Sequence, residues 1–146
     1  EAAGVPVQPD PELRAARWRK LVWNVPYNGL SVVLDRGTDE LMADPSTRAL
    51  VTELMNEVGI GAAACGTPLP DGFIEHMLAT TDAMVPYRTS MKLDYDAARP
   101  LELDAIYAAP VRATAAAGGA VPRIEALWRQ LQDLELARNQ SRSTAR

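Results

Sequence analysis

Apolar residues recur at three- and four-residue intervals along most of the chain, a period that belongs to helices rather than strands. Leu13, Trp18, Leu21, Val22, Val25, Leu30, Val33 and Leu34 carry it through a first segment that opens at Asp10-Pro11 and stops at Asp35-Arg36-Gly37. An aspartate there can cap the free amides of a helix start, and proline at the first helical position loses nothing by lacking an N–H. Pro26 predicts a kink, because it removes one backbone bond and crowds the carbonyl four residues earlier. A short helix is expected over Thr38 to Met42. Asp44-Pro45 repeats the start signal for a helix through Leu50, Leu54 and Val58 towards Cys65.

Pro68 and Pro70-Asp71-Gly72 read as a loop. Phe73, Ile74, Met77, Leu78 and Met84 mark the next helix, which should end before Pro86. A shorter one is expected over Arg88 to Ala98, then one from Leu101 to Ala117, interrupted or bent at Pro110 and stopped by Gly118-Gly119. Pro122 opens the last, with Ile124, Leu127, Trp128, Leu131 and Leu134 as its core stripe. The fold class is therefore all-α, a compact multi-helix bundle. Val, Ile and Thr never form the alternating runs of half-buried strands. Residues 1–9 read as a linker remnant, 10–138 as the helical domain and the polar stretch 139–146 as a disordered tail. No internal repeat is visible.

Composition narrows the function classes. A chain of 146 residues with 47% hydrophobic content can bury one sizeable core. Its 15 basic and 19 acidic residues are interspersed and net to -4, which offers no basic face to nucleic acid or anionic lipid. No apolar run approaches the roughly 18 residues of a membrane span, and Glu1-Ala2-Ala3-Gly4 lacks the basic start of a signal peptide. A single cysteine, Cys65, cannot form an internal disulfide and is read as a small packed residue, so the default expectation is a cytoplasmic protein. His76 has no second ligand at metal spacing, so no metal site is expected. Trp23 and Tyr27, four apart, read as packing residues rather than a ligand cage.

The candidate chemistry lies on the first helix. Lys20, Asn24 and Asn28 are spaced i, i+4, i+8 and share one narrow face. Asparagine competes for its own backbone and is a poor helix former, so two within an otherwise apolar segment suggest a site. A lysine among such neighbours can donate a proton to a carbonyl oxygen, while the amides orient a small polar molecule. The competing reading is a solvated helix face.

Three segments give these residues a context. Trp18-Arg19-Lys20-Leu21 with Asn24 and Asn28 resembles the opening motif of the ketopantoate reductase C-terminal domain. Thr89-Ser90-Met91 with Asp94 is similar to that family's Ser-Ser-Met motif and following aspartate. Arg99-Pro100-Leu101-Glu102-Leu103-Asp104-Ala105-Ile106 resembles its Arg-Pro-Thr-Glu-Ile-Asp stretch, and Val121-Pro122 matches as well. The resemblance runs from Trp18 to about Leu134. It implies a bundle like the 6-phosphogluconate dehydrogenase C-terminal domain, and an NADPH-dependent reductase of 2-oxo acids, with ketopantoate reduction in pantothenate biosynthesis as the expected activity. Lys20 would then be the catalytic proton donor and Glu102 its acidic partner. Ser90 would bind the substrate carboxylate, and Asn24 and Asn28 the substrate hydroxyl groups and surroundings of the lysine. Asp94 and Asp104 are assigned structural roles such as capping or an ion pair with Arg99. Association into a homodimer through the helical surface is implied too.

The chain departs from the family pattern at Gly29, commonly proline, at Leu101, commonly threonine, at Tyr107-Ala108, commonly Asn-Gly, and at Ile124, often asparagine. Tyr87 stands where some relatives carry a substrate-binding asparagine, which suggests a narrower or repolarised pocket and a bulkier or more apolar acid than ketopantoate. The family binds NADPH on a Rossmann domain, and no strand-helix alternation exists here to build one. Gly59-Ile60-Gly61-Ala62-Ala63-Ala64 resembles a dinucleotide fingerprint but should close a helix rather than open one, and it reads as a helix terminus and loop. No cofactor-binding residue is assigned in this chain, and the chain alone is expected to be inactive. One alternative is a catalytically idle helical module for dimerisation or partner binding. Another is a dehydrogenase of the 6-phosphogluconate or hydroxyisobutyrate type, which would need a different motif around its lysine.

Overall fold

The computed structural model describes residues 10–146, all helices and loops with no strand among them. The stretch 1–9, expected to be a linker, lies outside the described residues. Helix α1 spans Pro11–Val33, α2 Thr38–Ala43, α3 Pro45–Ala64, α4 Phe73–Ala83 and α5 Ser90–Asp96. A π-helical turn, Asp104–Ala108, leads into α6, Ala109–Ala116, and α7 spans Pro122–Thr144.

The predicted starts form for the predicted reason. Asp10 accepts from the Glu12 amide at 2.7 Å and Asp44 from the Ser46 amide at 2.9 Å, with Pro11 and Pro45 next in line. Pro26 lies inside one continuous α1. An interior proline costs about 3 kcal/mol or more. The whole run from Val25 to Val32 is buried, however, and its packing on α3, α5 and α7 offsets that loss. Val22, Val25 and Leu30 of α1, Leu54 and Val58 of α3, and Ile124, Leu127 and Leu131 of α7 form the centre of the core.

The segment from Gly59 to Ala64 closes α3, which ends at Ala64 as the sequence indicates, while two other expectations are corrected. A Cβ on Gly61 would stand 2.7 Å from Thr114 Oγ1 and 2.8 Å from the Trp18 ring, so this glycine lets α1 and α6 approach α3 closely. The helix expected from Leu101 is instead a non-helical lead-in, in which the Leu103 amide bonds to the Leu101 carbonyl, and a π turn, in which the Ala109 amide bonds to the Asp104 carbonyl. Pro110 has no N–H for the carbonyl of Ile106, and widening the helix by one residue absorbs the gap. Finally, residues 139–146 do not form a disordered tail, because α7 extends to Thr144. Arg138 donates to the carbonyls of Tyr95 and Arg99, both at 3.0 Å, and Arg142 to that of Ala98 at 3.3 Å. Those bonds tie the distal part of α7 to the open carbonyl end of α5.

A buried carboxylate holds the other end of α7. Glu57, only 4% exposed, accepts from the amides of Arg123 and Ile124 at 3.0 Å each. Val121 supplies no side-chain cap, so a residue of α3 does so across the core.

Candidate active site

An open groove of about 510 Å³ runs between α1 and the segment from Glu102 to Ala113. From α1 come Arg14, Arg17, Lys20 and Asn24, one helical face seen over three turns. Glu102 stands on the opposite side, and Trp18, Leu21 and Ile106 give the groove its apolar surface. Leu101 and Leu103 are buried and Glu102 between them is exposed, so a short alternating stretch turns the carboxylate outward. The Leu101 amide donates to Glu135 on α7 at 2.7 Å and fixes that stretch in place.

Lys20 is exposed, and it makes no ion pair among the described residues. Glu102 is likewise unpaired. The two residues therefore share the groove without a direct salt bridge, a separation that leaves each free to meet a ligand. Asn24 is half-buried beside them. Three of the five predicted site residues thus converge.

The other two belong to the junction of α1 with α5. Asn28 is 3% exposed, and its Oδ1 accepts from the Met91 amide at 3.4 Å. Ser90 is exposed at the first position of α5, whose cap is Thr89, accepting from Lys92 N at 3.1 Å. Thr89 also shares a 2.7 Å hydroxyl contact with Ser31. Asn28 and Ser90 do not line the groove that holds Lys20, yet Asn28 fixes the backbone on which Ser90 stands.

The family departures are explained by contact in two cases. Tyr107 donates to the Val25 carbonyl at 2.7 Å, and a Cβ on residue 29 would overlap the Tyr107 hydroxyl and Leu127. Gly29 and Tyr107 therefore accommodate one another, and burial pushes the Tyr107 hydroxyl well above the ordinary tyrosine pKa. Tyr87 does not line the groove. It is 45% exposed and stacks obliquely on Trp23 at 6.0 Å, beside a depression bordered by Asp35 and Lys92. Trp23 and Tyr27 pack as expected, their rings 4.7 Å apart, with the Trp23 N–H on Thr81 and the Tyr27 hydroxyl on the Met42 sulfur. Asp94 pairs with Arg99 at 2.9 Å, and Asp104 with Arg112 at 3.0 Å. Cys65 is half-buried against the groove, and loss of solvation raises its thiol pKa.

Sequence reasoning passed over Arg14 and Arg17, although their spacing from Lys20, i-6 and i-3, already put them near its face. It also missed Lys92, 6% exposed, which bridges Asp35 at 2.6 Å and Asp96 at 2.7 Å. Burial acts to lower the Lys92 pKa, but the hydrogen bonds to Asp35 and Asp96 outweigh it and hold the ammonium above its ordinary value.

Residues 12–135 match the family model described as ketopantoate reductase PanE/ApbA C terminal. A 2-dehydropantoate 2-reductase of Nostoc sp. is 51% identical over 135 residues, which are 92% of this chain and 42% of the relative. The crystal structure of 2-dehydropantoate 2-reductase from Geobacter metallireducens superposes with a TM-score of 0.80 at 43% identity, covering 83% of this chain and 41% of that one. A ternary structure of D-mandelate dehydrogenase with NADH and anilino(oxo)acetate gives 0.76 at 27% identity, covering 84% and 40%. The chain spans less than half the length of these relatives.

Proposed function

Because the chain belongs to the ketopantoate reductase family, as its C-terminal domain, we propose that it forms the acid-binding, proton-donating half of an NADPH-dependent reductase that turns 2-dehydropantoate into pantoate. The observation that carries this reading is the convergence of Lys20, Asn24 and Glu102 on one groove from two distant parts of the chain. NADPH, when bound, supplies the hydride that reaches the C2 ketone. The described residues contain no strand and so no phosphate cradle of the Rossmann kind, and the main seat of the dinucleotide belongs to a separate nucleotide-binding half.

This chain's own residues meet the charge that develops on the ketone oxygen. Lys20 donates a hydrogen bond to that oxygen and then its proton. Glu102 faces the lysine across the groove and orients it. Asn24 binds a substrate hydroxyl. Ser90 takes the substrate carboxylate, and Asn28 keeps the start of α5 in position for it. These last roles require the ligand to extend from the groove towards the junction of α1 and α5. The apolar surface of Trp18, Leu21 and Ile106 suits an acid with a branched or bulky carbon skeleton.

The remaining expectations accompany the same reading: a step of pantothenate biosynthesis, association into a homodimer through helical surface, and a cytoplasmic setting. No helix among the described residues is long and apolar enough to cross a membrane.

The test is NADPH oxidation with 2-dehydropantoate and a panel of other 2-oxo acids, by the chain alone and joined to a family nucleotide-binding domain. Turnover only in the joined form, with one acid preferred, is the expected result. A folded joined form that reduces none of them would favour the idle interaction module.

A further inference from the structure

The chain has fifteen lysines and arginines, and among the described residues ten of them stand in ion pairs. Of the other five, Arg142 and Arg146 lie at the far end of the chain, and Arg14, Arg17 and Lys20 all line the groove. One carboxylate, Glu102, faces these three cations. In a protein of net charge -4, leaving two positive charges uncompensated on one apolar-walled groove is a local reversal of the overall balance. Arg14 adds a second sign: its Nε is buried and has no hydrogen-bond partner among the described residues. A buried guanidinium donor without an acceptor is costly, and in most folded proteins such groups are paired.

We propose that Arg14 and Arg17 form an anion subsite in the groove, one to two turns of α1 away from Lys20, that takes a second oxyanion group of the ligand. This rests on the reading of the groove as the reductase site. Lys20 with Glu102 accounts for one charge of each sign, so a single ketone oxygen leaves the two arginines unused. Guanidinium groups bind phosphate and carboxylate through paired N–H donors, and both chemistries are within reach of a dinucleotide-dependent acid reductase. The group is either a phosphate of the dinucleotide or a second carboxylate of the acid.

The two sources separate in an experiment on the chain itself that needs no turnover. The arginine Nε–Hε signals are followed by NMR during titration with inorganic pyrophosphate and, separately, with 2-oxoglutarate. Saturable shifts of Arg14 and Arg17, with Arg112 and Arg129 still, are expected. Stronger binding of pyrophosphate assigns the subsite to the dinucleotide, and stronger binding of 2-oxoglutarate assigns it to the acid. Exchanging both residues, Arg14→Gln with Arg17→Gln, should weaken the preferred anion by about tenfold or more, while an unchanged melting curve shows that the fold is intact. Signals that do not move, or that drift equally at Arg112 and Arg129, overturn the proposal. So does a double variant that binds as well as the parent. Lys20→Ala should leave the arginine response in place, so failure of the proton-donor role and failure of the subsite are distinguishable.

Discussion

The chain contains two lysines, and they are set in opposite surroundings. Lys92 is buried between α1 and α5, clasped by Asp35 and Asp96, and lies 5.8 Å from the centre of the Tyr95 ring. Lys20 is exposed in a groove, without an ion-pair partner among the described residues, and its carboxylate neighbour stands across open space. A proton donor has to be able to approach and leave its partner, whereas a structural ammonium is most useful when it cannot. On the proposed reading, the difference is one residue type serving fold at one position and chemistry at the other. Environment, rather than identity, separates the two roles.

Removing each lysine should break the two roles apart. In the enzyme joined to its nucleotide-binding half, Lys20→Ala is expected to lower kcat about 10²- to 10⁴-fold, the usual contribution of a positioned general acid. NADPH affinity and the melting temperature should stay near the parent values, as checked by fluorescence titration and calorimetry. Turnover within a few-fold of the parent would remove Lys20 from the chemistry.

The next largest effect is expected at the buried carboxylate of α3. Glu57→Ala leaves the Arg123 and Ile124 amides at the start of α7 without their acceptor, and about 2–4 kcal/mol of stability should disappear in urea titration. Gly29→Ala should cost about 1–3 kcal/mol through overlap with Tyr107 and Leu127. Tyr107→Phe in the same chain should recover part of that loss, which a double-mutant cycle measures directly. Strictly additive losses would mean that the two departures from the family pattern are independent.

The smallest effect is a change in the shape of the pH–stability curve. The Lys92 pKa is raised, so its contribution is fully present below the ordinary value of 10.5 and fades as the pH rises through the higher folded value. The hydrogen bond from Lys92 lowers the Asp35 pKa, so that contribution is present above the ordinary value of 3.8 and fades as the pH falls through the lower folded value. Lys92→Met should therefore flatten both limbs of the curve while leaving the activity of the joined enzyme largely intact. A variant that keeps both limbs would show that this pair does not set them.

Local chemistry explains which features were legible beforehand. The Asp-Pro starts of α1 and α3 involve neighbouring residues only, and they form where the sequence indicates. Pro122 marks the start of α7 as well, but its cap, Glu57, comes from α3 and could not be read locally. The distal part of α7 reads as disordered because its stabilising partners, the carbonyls at the end of α5, lie about forty residues away. Pro110 signals a disturbance without saying whether the helix will break, bend or widen, and the outcome is decided by the buried packing of Tyr107 and Ala108. In the groove, Lys20 and Asn24 are visible from helical spacing alone. Glu102 enters through the family resemblance, since no local rule connects residues 82 positions apart. Asn28 has the spacing of a groove residue but lies deeper along α1, where the arrival of α5 covers it.

Because there are only two lysines, their side chains can be followed individually. The direct test is an NMR titration of the joined enzyme, labelled at the lysine Nζ and Cε positions, with 2-dehydropantoate. The account predicts that the Lys20 signals move to saturation while those of Lys92 stay fixed. Movement of Lys92 alone, or of neither lysine in an enzyme that still turns over, would contradict it.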